Sequence, residues 1–118
     1  MKSYAKTHVK EGNRTELHDV LSLTGAEVSV NTLLAGTGVP FVHSHKQNEE
    51  IISILSGKGR VIIDGESIEL SAGDWIRISP KGQRQFFASE DEAMTFVCIQ
   101  VKENSLEVYT KEDGIIHE

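Results

Sequence analysis

The sequence predicts an all-β fold, a sandwich or closed barrel of short strands. Brief apolar/polar alternations recur through the middle of the chain, glycine-containing turns separate them at roughly 8–12 residue intervals, and helical periodicity is almost absent. Repeated alternation of this kind suits a barrel, which closes its own edges.

The elements follow in order. Glu27 to Leu34 alternates, with Val28, Val30 and Thr32 on one side and Ser29, Asn31 and Leu33 on the other, and Gly36-Thr37-Gly38 breaks it. Pro40 to His45 reads as a second strand, followed by the polar turn Lys46-Gln47-Asn48. Glu50 to Ser56 reads as a third, ending at Gly57-Lys58-Gly59. Arg60 to Ile63 and Ser67 to Leu70 flank Asp64-Gly65, a dipeptide that signals a tight hairpin. Ser71-Ala72-Gly73-Asp74 turns into Trp75 to Ile78, and Pro80-Lys81-Gly82 turns into Gln83 to Ala88. The acidic stretch Ser89-Glu90-Asp91-Glu92 is a solvated loop, and Met94 to Val101 is the last strand. The N-terminal sixteen residues have weaker patterns, suited to adding a strand to a partner or lying outside the barrel. Leu17, Val20, Leu21 and Leu23 suit a short helical turn or a strand.

With 118 residues there is room for one domain, taken as 1–118 with a barrel core of about 28–101. Hydrophobic residues at 38% and charged residues at 25% are ordinary for a globular protein. No apolar run reaches the roughly 20 residues that cross a bilayer, and the segment from Met1 to His8 lacks the apolar stretch of a signal peptide. A cytoplasmic setting is therefore the expectation, with no membrane partner. The net charge of −6 disfavours nucleic acid, whose binding depends on basic side chains neutralising phosphates. Cys98 is the one cysteine, so no internal disulfide forms, and its apolar strand marks it as buried and structural. No serine-hydrolase elbow or P-loop is present. His8, His18 and His117 fall outside ligand spacing, Asp74 reads as a turn residue and Trp75 as core or interface.

The chemistry concentrates in Pro40-Phe41-Val42-His43-Ser44-His45-Lys46-Gln47-Asn48-Glu49-Glu50. Strand alternation puts His43 and His45 on one face, where two imidazoles take adjacent positions around one cation. A short turn lets the next strand bring a carboxylate beside them. Glu50 shares a face with Ile52 and Ile54, whereas Glu49 shares one with Ile51, Ser53 and Leu55. The all-apolar face suits a barrel interior, so Glu50 is the expected third ligand. A His-x-His pair alone is often merely exposed or hydrogen-bonded; the glutamate and its apolar strand are what favour a metal.

His43-Ser44-His45, four residues, Glu50, then six residues to Gly57 resembles the first motif of the cupin superfamily, with Gly38 as its opening glycine one residue nearer than the commonest spacing. Gly73-Asp74 followed by Pro80-Lys81-Gly82 resembles the second. The resemblance covers roughly residues 28 to 101, and it is to small single-domain cupins. It implies a double-stranded β-helix, or jelly-roll, barrel holding a divalent metal ion such as manganese, iron, zinc or nickel. The chain departs from the second motif at the position of the family's third histidine, which is Gln85, preceded by Arg84. Two readings stay open. In one, His43, His45, Glu50 and Gln85 hold the metal. In the other, three protein ligands and water hold it, and Arg84 or Gln85 takes an anionic ligand. Arg84 is no metal ligand, since a guanidinium offers no acceptor, and it also suits a plain surface position. Phe41 and Phe87 have the parity to line the cavity.

Cupins include isomerases, epimerases, dioxygenases, decarboxylases and non-catalytic binders. The resemblance therefore implies a metal-binding small-molecule site, for instance in a metal-dependent isomerase or dioxygenase. The alternative is a non-catalytic module for a sugar or organic acid, and a barrel without metal is the third reading. Small cupins also pair through edge strands, which implies a homodimer.

Overall fold

The structure is a computed structural model and describes residues 2–118. It contains β1 (Arg14–Glu16), β2 (Glu27–Leu33), β3 (Asn48–Ile63), β4 (Glu66–Ser71), β5 (Trp75–Ile78), β6 (Arg84–Ala88), β7 (Met94–Lys102) and a single helical turn, α1 (Thr110–Asp113). All strand pairings are antiparallel. β3 organises the barrel. Its first half pairs with β7 and β5, its second half pairs with β4 and β6, and β7 continues through β2 to β1.

Gly57 therefore does not end a strand, contrary to the turn expected at Gly57-Lys58-Gly59. One sixteen-residue strand passes through it. The register against β7 slips by one residue between Ile54 and Ser56, a β-bulge that reverses which side chains face inward. Before it Ile52 and Ile54 are buried; after it Val61 is. The bulge thus lets one strand serve two walls of the same core. Gly57 has φ +80°, and a Cβ there would overlap the carbonyl of Ala93, so only glycine fits this corner without strain.

The Asp64-Gly65 pair forms the expected two-residue turn. Both residues have positive φ, and Ile63 faces Glu66 across the hairpin. Leu17 to Ser22 forms turns only, with Leu21 N–H donating to Leu17 O at 3.1 Å. The core comprises Ile52, Ile54, Val61, Leu70, Ile78, Phe86, Ala88, Met94, Phe96 and Cys98, with Phe86 and Phe96 stacked at 5.0 Å between ring centroids. Trp75 is 67% exposed, so it is no core residue.

The sequence left open which face of β2 turns inward. The inward face of β2 is the polar one: Ser29 and Asn31 are buried, while Val28 and Val30 lie outside and only half-buried. Residues 2–13 of the N-terminal segment lie almost entirely exposed, but Arg14–Glu16 joins this chain's own sheet. As β1 it pairs with β2, placing Arg14 opposite Asn31. No helix among the described residues is long and apolar enough to cross a membrane.

Candidate metal centre and ligand cavity

The segment carrying both histidines is not a regular strand. It runs antiparallel to β6 through isolated bridges, Gly38 opposite Phe87 and His43 opposite Arg84, so it takes five steps where β6 takes three. Two residues of the Pro40–Val42 region are consequently looped out. Pro40 contributes by having no N–H to give a ladder. Beyond this loop the pairing resumes: His43 N–H donates to Arg84 O at 3.1 Å, Arg84 N–H donates back to His43 O at 2.9 Å, and His45 N–H donates to Pro80 O at 2.8 Å. The two histidines are thereby fixed by backbone bonds on both sides of Ser44.

Glu50 comes from the start of β3 and is only 3% exposed. Glu49 points to the opposite face, where it accepts a hydrogen bond from Arg77 Nε at 2.7 Å. One candidate ligand atom each from His43, His45 and Glu50 lie within 4.8 Å of one another. The imidazoles meet edge to face, with centroids 5.2 Å apart and planes at 88°. His45 Nε2 lies 2.8 Å from Glu50 Oε2, which suits two neighbouring donors on one ion with bonds of about 2.1 Å. His43 Nδ1 is buried with no hydrogen-bond partner. Burial is the main influence on His43 and holds its pKa below the usual 6.5, partly opposed by the Glu50 charge. A neutral imidazole is the ligating form.

Arg84 is the residue that sequence reasoning misplaced. A directly opposed antiparallel pair shares a face, so the bridge to His43 turns Arg84 inward. It is fully buried, with Nη1 2.9 Å from Glu50 Oε1. Its Nε donates to Gly82 O at 2.8 Å, and Nη2 donates to Ser79 O at 2.6 Å and more weakly to Pro80 O at 3.3 Å. This guanidinium neither decorates the surface nor keeps its fork free for a ligand; it ties the glutamate to the Ser79–Gly82 turn. Gln85, one residue on, points away, and its Nε2 donates to Val39 O at 2.7 Å. The structure does not bring it to the histidines. Phe87 likewise lies off the cavity, stacked under the Arg60 guanidinium at 4.5 Å. Strand alternation is the reason, since Arg84, Phe86 and Ala88 are the buried set of β6.

The three clustered side chains line a cavity of about 630 Å³. Phe41, on the looped-out segment and 58% exposed, stands at its rim 5.7 Å from His43. Leu33, Val39, Ile52, Phe86 and Phe96 supply apolar walls, and Arg14, Asn31 and Gln100 add polar groups. Sequence reasoning missed Arg14 and Asn31. The signal available was the polar face of β2, Ser29 and Asn31, unusual for a face turned into a barrel. Cys98 also borders the cavity, and its thiol is pushed up to about 12, chiefly by burial and then by the Glu50 charge.

The fold and this cluster define a jelly-roll barrel with two imidazoles and a carboxylate converging on an internal cavity. The cupin-domain family model matches residues 30–100, and the chain belongs to that family. A cupin protein from Bacteroides fragilis is 63% identical over the whole of both chains, with a TM-score of 0.97. A putative sugar phosphate isomerase from Acidithiobacillus ferrooxidans superposes with a TM-score of 0.65 over 75% of this chain and 58% of its own, at 19% identity, which establishes a shared fold alone. An uncharacterized protein of Aquifex aeolicus is 33% identical over 57 residues, 48% of this chain and 46% of that protein. The matched segments span less than half the length of the curated relatives.

Proposed function

We propose that this cupin holds a divalent metal ion on His43, His45 and Glu50 and uses the cavity beside it to bind a small molecule. The observation that carries the reading is the convergence of three ligand atoms within 4.8 Å at a buried glutamate, with His43 Nδ1 unpartnered. The donor set suits manganese, iron, zinc or nickel, all of which accept imidazole and carboxylate. When bound, such an ion supplies Lewis-acid polarisation of a ligand oxygen at positions the protein leaves open.

The protein's own groups do the rest. Arg84 supplies the countercharge to Glu50 and fixes its carboxylate against the Ser79–Gly82 turn. Phe41 and the apolar walls exclude water from one side of the bound molecule. Isomerase or dioxygenase chemistry fits such a site. A non-catalytic module for a sugar or organic acid is the second reading, favoured by Glu50 being held by both Arg84 and His45. We also propose a homodimer in the cytoplasm. Val28, Ile99 and Ile51 stand side by side on the outward face of the sheet, with Val30, Val97, Ser53 and Trp75 in the next row. Light scattering at a twofold monomer mass is the expected result.

The test of the metal reading is elemental analysis of protein purified without chelator, for the wild type and for His43→Ala/His45→Ala. Near one equivalent of metal in the wild type and loss in the variant is expected. Equal metal in both sinks the site.

A further inference from the structure

The inward face of β2 poses a question the metal cluster does not answer. Ser29 and Asn31 are buried where a barrel normally places apolar side chains, and they are joined to one another and to Arg14. Asn31 Nδ2 donates to Ser29 Oγ at 2.9 Å, and Arg14 Nη1 donates to Asn31 Oδ1 at 2.8 Å. This chain of bonds orients a guanidinium at the cavity, delivered by β1 from outside the family-matched segment. Arg14 is the reverse of Arg84. Arg84 is fully buried, with its hydrogen bonds directed to backbone carbonyls and its charge paired with Glu50, whereas the Arg14 side chain is 54% exposed. Of the five N–H groups of Arg14, only those used toward Asn31 and Glu16 are engaged in hydrogen bonds. Arg14 lines the same cavity as His43, Glu50 and Cys98.

We propose that the cavity takes a small organic carboxylate, its anionic end on the Arg14 guanidinium, its apolar body against Leu33, Phe86 and Phe96, and its far end toward His43 and His45. The inference names the ligand class of the site proposed above and rests on that cavity binding a small molecule. It does not rest on the metal ion. A guanidinium recognises carboxylate and phosphate alike through paired N–H groups. The neighbouring charge selects between them. Glu16 Oε1 lies 3.2 Å from Arg14 Nη2 and offsets part of the positive field, and Glu50 stands elsewhere in the same cavity. A single negative charge is therefore favoured over a dianion.

Calorimetric titration of the full-length protein with benzoate and isovalerate, their neutral amides and inorganic phosphate tests this. The acids are expected to bind about tenfold or more tightly than the matching amides, the scale of a charged hydrogen-bonding pair. Arg14→Gln abolishes that preference, Arg14→Lys keeps part of it, and Glu16→Gln strengthens acid binding severalfold by freeing the guanidinium. A merely structural Arg14 would not respond to Glu16→Gln. Equal binding of acid and amide, no binding of either, tighter binding of phosphate than of benzoate, or a preference surviving Arg14→Gln overturns the proposal. Titration with Mn²⁺ alone separates the two readings. An acid preference without Mn²⁺ binding supports this subsite while removing the metal reading.

Discussion

Replacing Arg84 by methionine removes the countercharge of Glu50 while keeping most of the side-chain volume. The pair is among the most buried in the protein, with Arg84 fully covered and the Glu50 side chain 4% exposed. Solvent therefore does little to screen it, and breaking such a pair from one side costs about 3–5 kcal/mol. The carbonyl of Gly82, itself a buried residue, loses its donor as well, whereas Pro80 O keeps the His45 N–H. That one orphaned acceptor adds about 1 kcal/mol where water does not replace the bond. The uncompensated carboxylate is the larger effect, so the total should stay near 3–5 kcal/mol. Against the usual 5–15 kcal/mol of a whole domain that is a severe loss, equivalent to roughly 10–20 °C in Tm at this chain length. The assay is urea and thermal unfolding in EDTA, so that bound metal does not mask the effect. Glu50→Gln in the Arg84→Met background should recover part of the loss, because no buried charge remains. Millimolar Mn²⁺ should stabilise Arg84→Met more than wild type, because the ion replaces the missing cation. A loss under about 1 kcal/mol, or simple additivity of the two substitutions, would refute the reasoning.

Two further expectations test other parts of the fold. Gly57→Ala should cost at least about 2 kcal/mol, since the left-handed backbone strain of about 1–2 kcal/mol adds to the clash with Ala93. Gly65→Ala, at φ +86° with open space around a Cβ, should cost only the strain, and the two urea midpoints are compared directly. The Cys98 thiol is raised from 9.0 to about 12 in the folded protein, so its proton is held more tightly folded than unfolded. The stability it contributes is fully present below pH 9 and is lost as pH rises toward 12. At pH 8 a thiol-reactive disulfide reagent should therefore modify Cys98 far more slowly in the folded than in the unfolded protein. Prompt stoichiometric labelling of folded protein would contradict the burial.

The strands were legible because alternation, tight-turn dipeptides and strand length are local properties. The same locality explains what was not legible. Alternation along β2 divides Val28 and Val30 from Ser29 and Asn31, yet it does not say which set faces inward. Gly57 reads as a terminator locally, but a bulge and the close approach of Ala93 make it a corner within one strand. The Arg84–Gln85 assignment turned on the register of β6 against β3 and the histidine segment, which turns Arg84 inward opposite His43 and Gln85 outward.

By itself, then, the sequence determined an all-β barrel and a His43-x-His45…Glu50 cluster, because neighbouring residues alone set those spacings. Only the tertiary structure decided that Arg84 rather than Gln85 meets Glu50, and that Arg14 reaches the cavity from the N-terminal strand. Register between distant strands fixes both, and one slipped residue sends a side chain to the opposite face of a sheet.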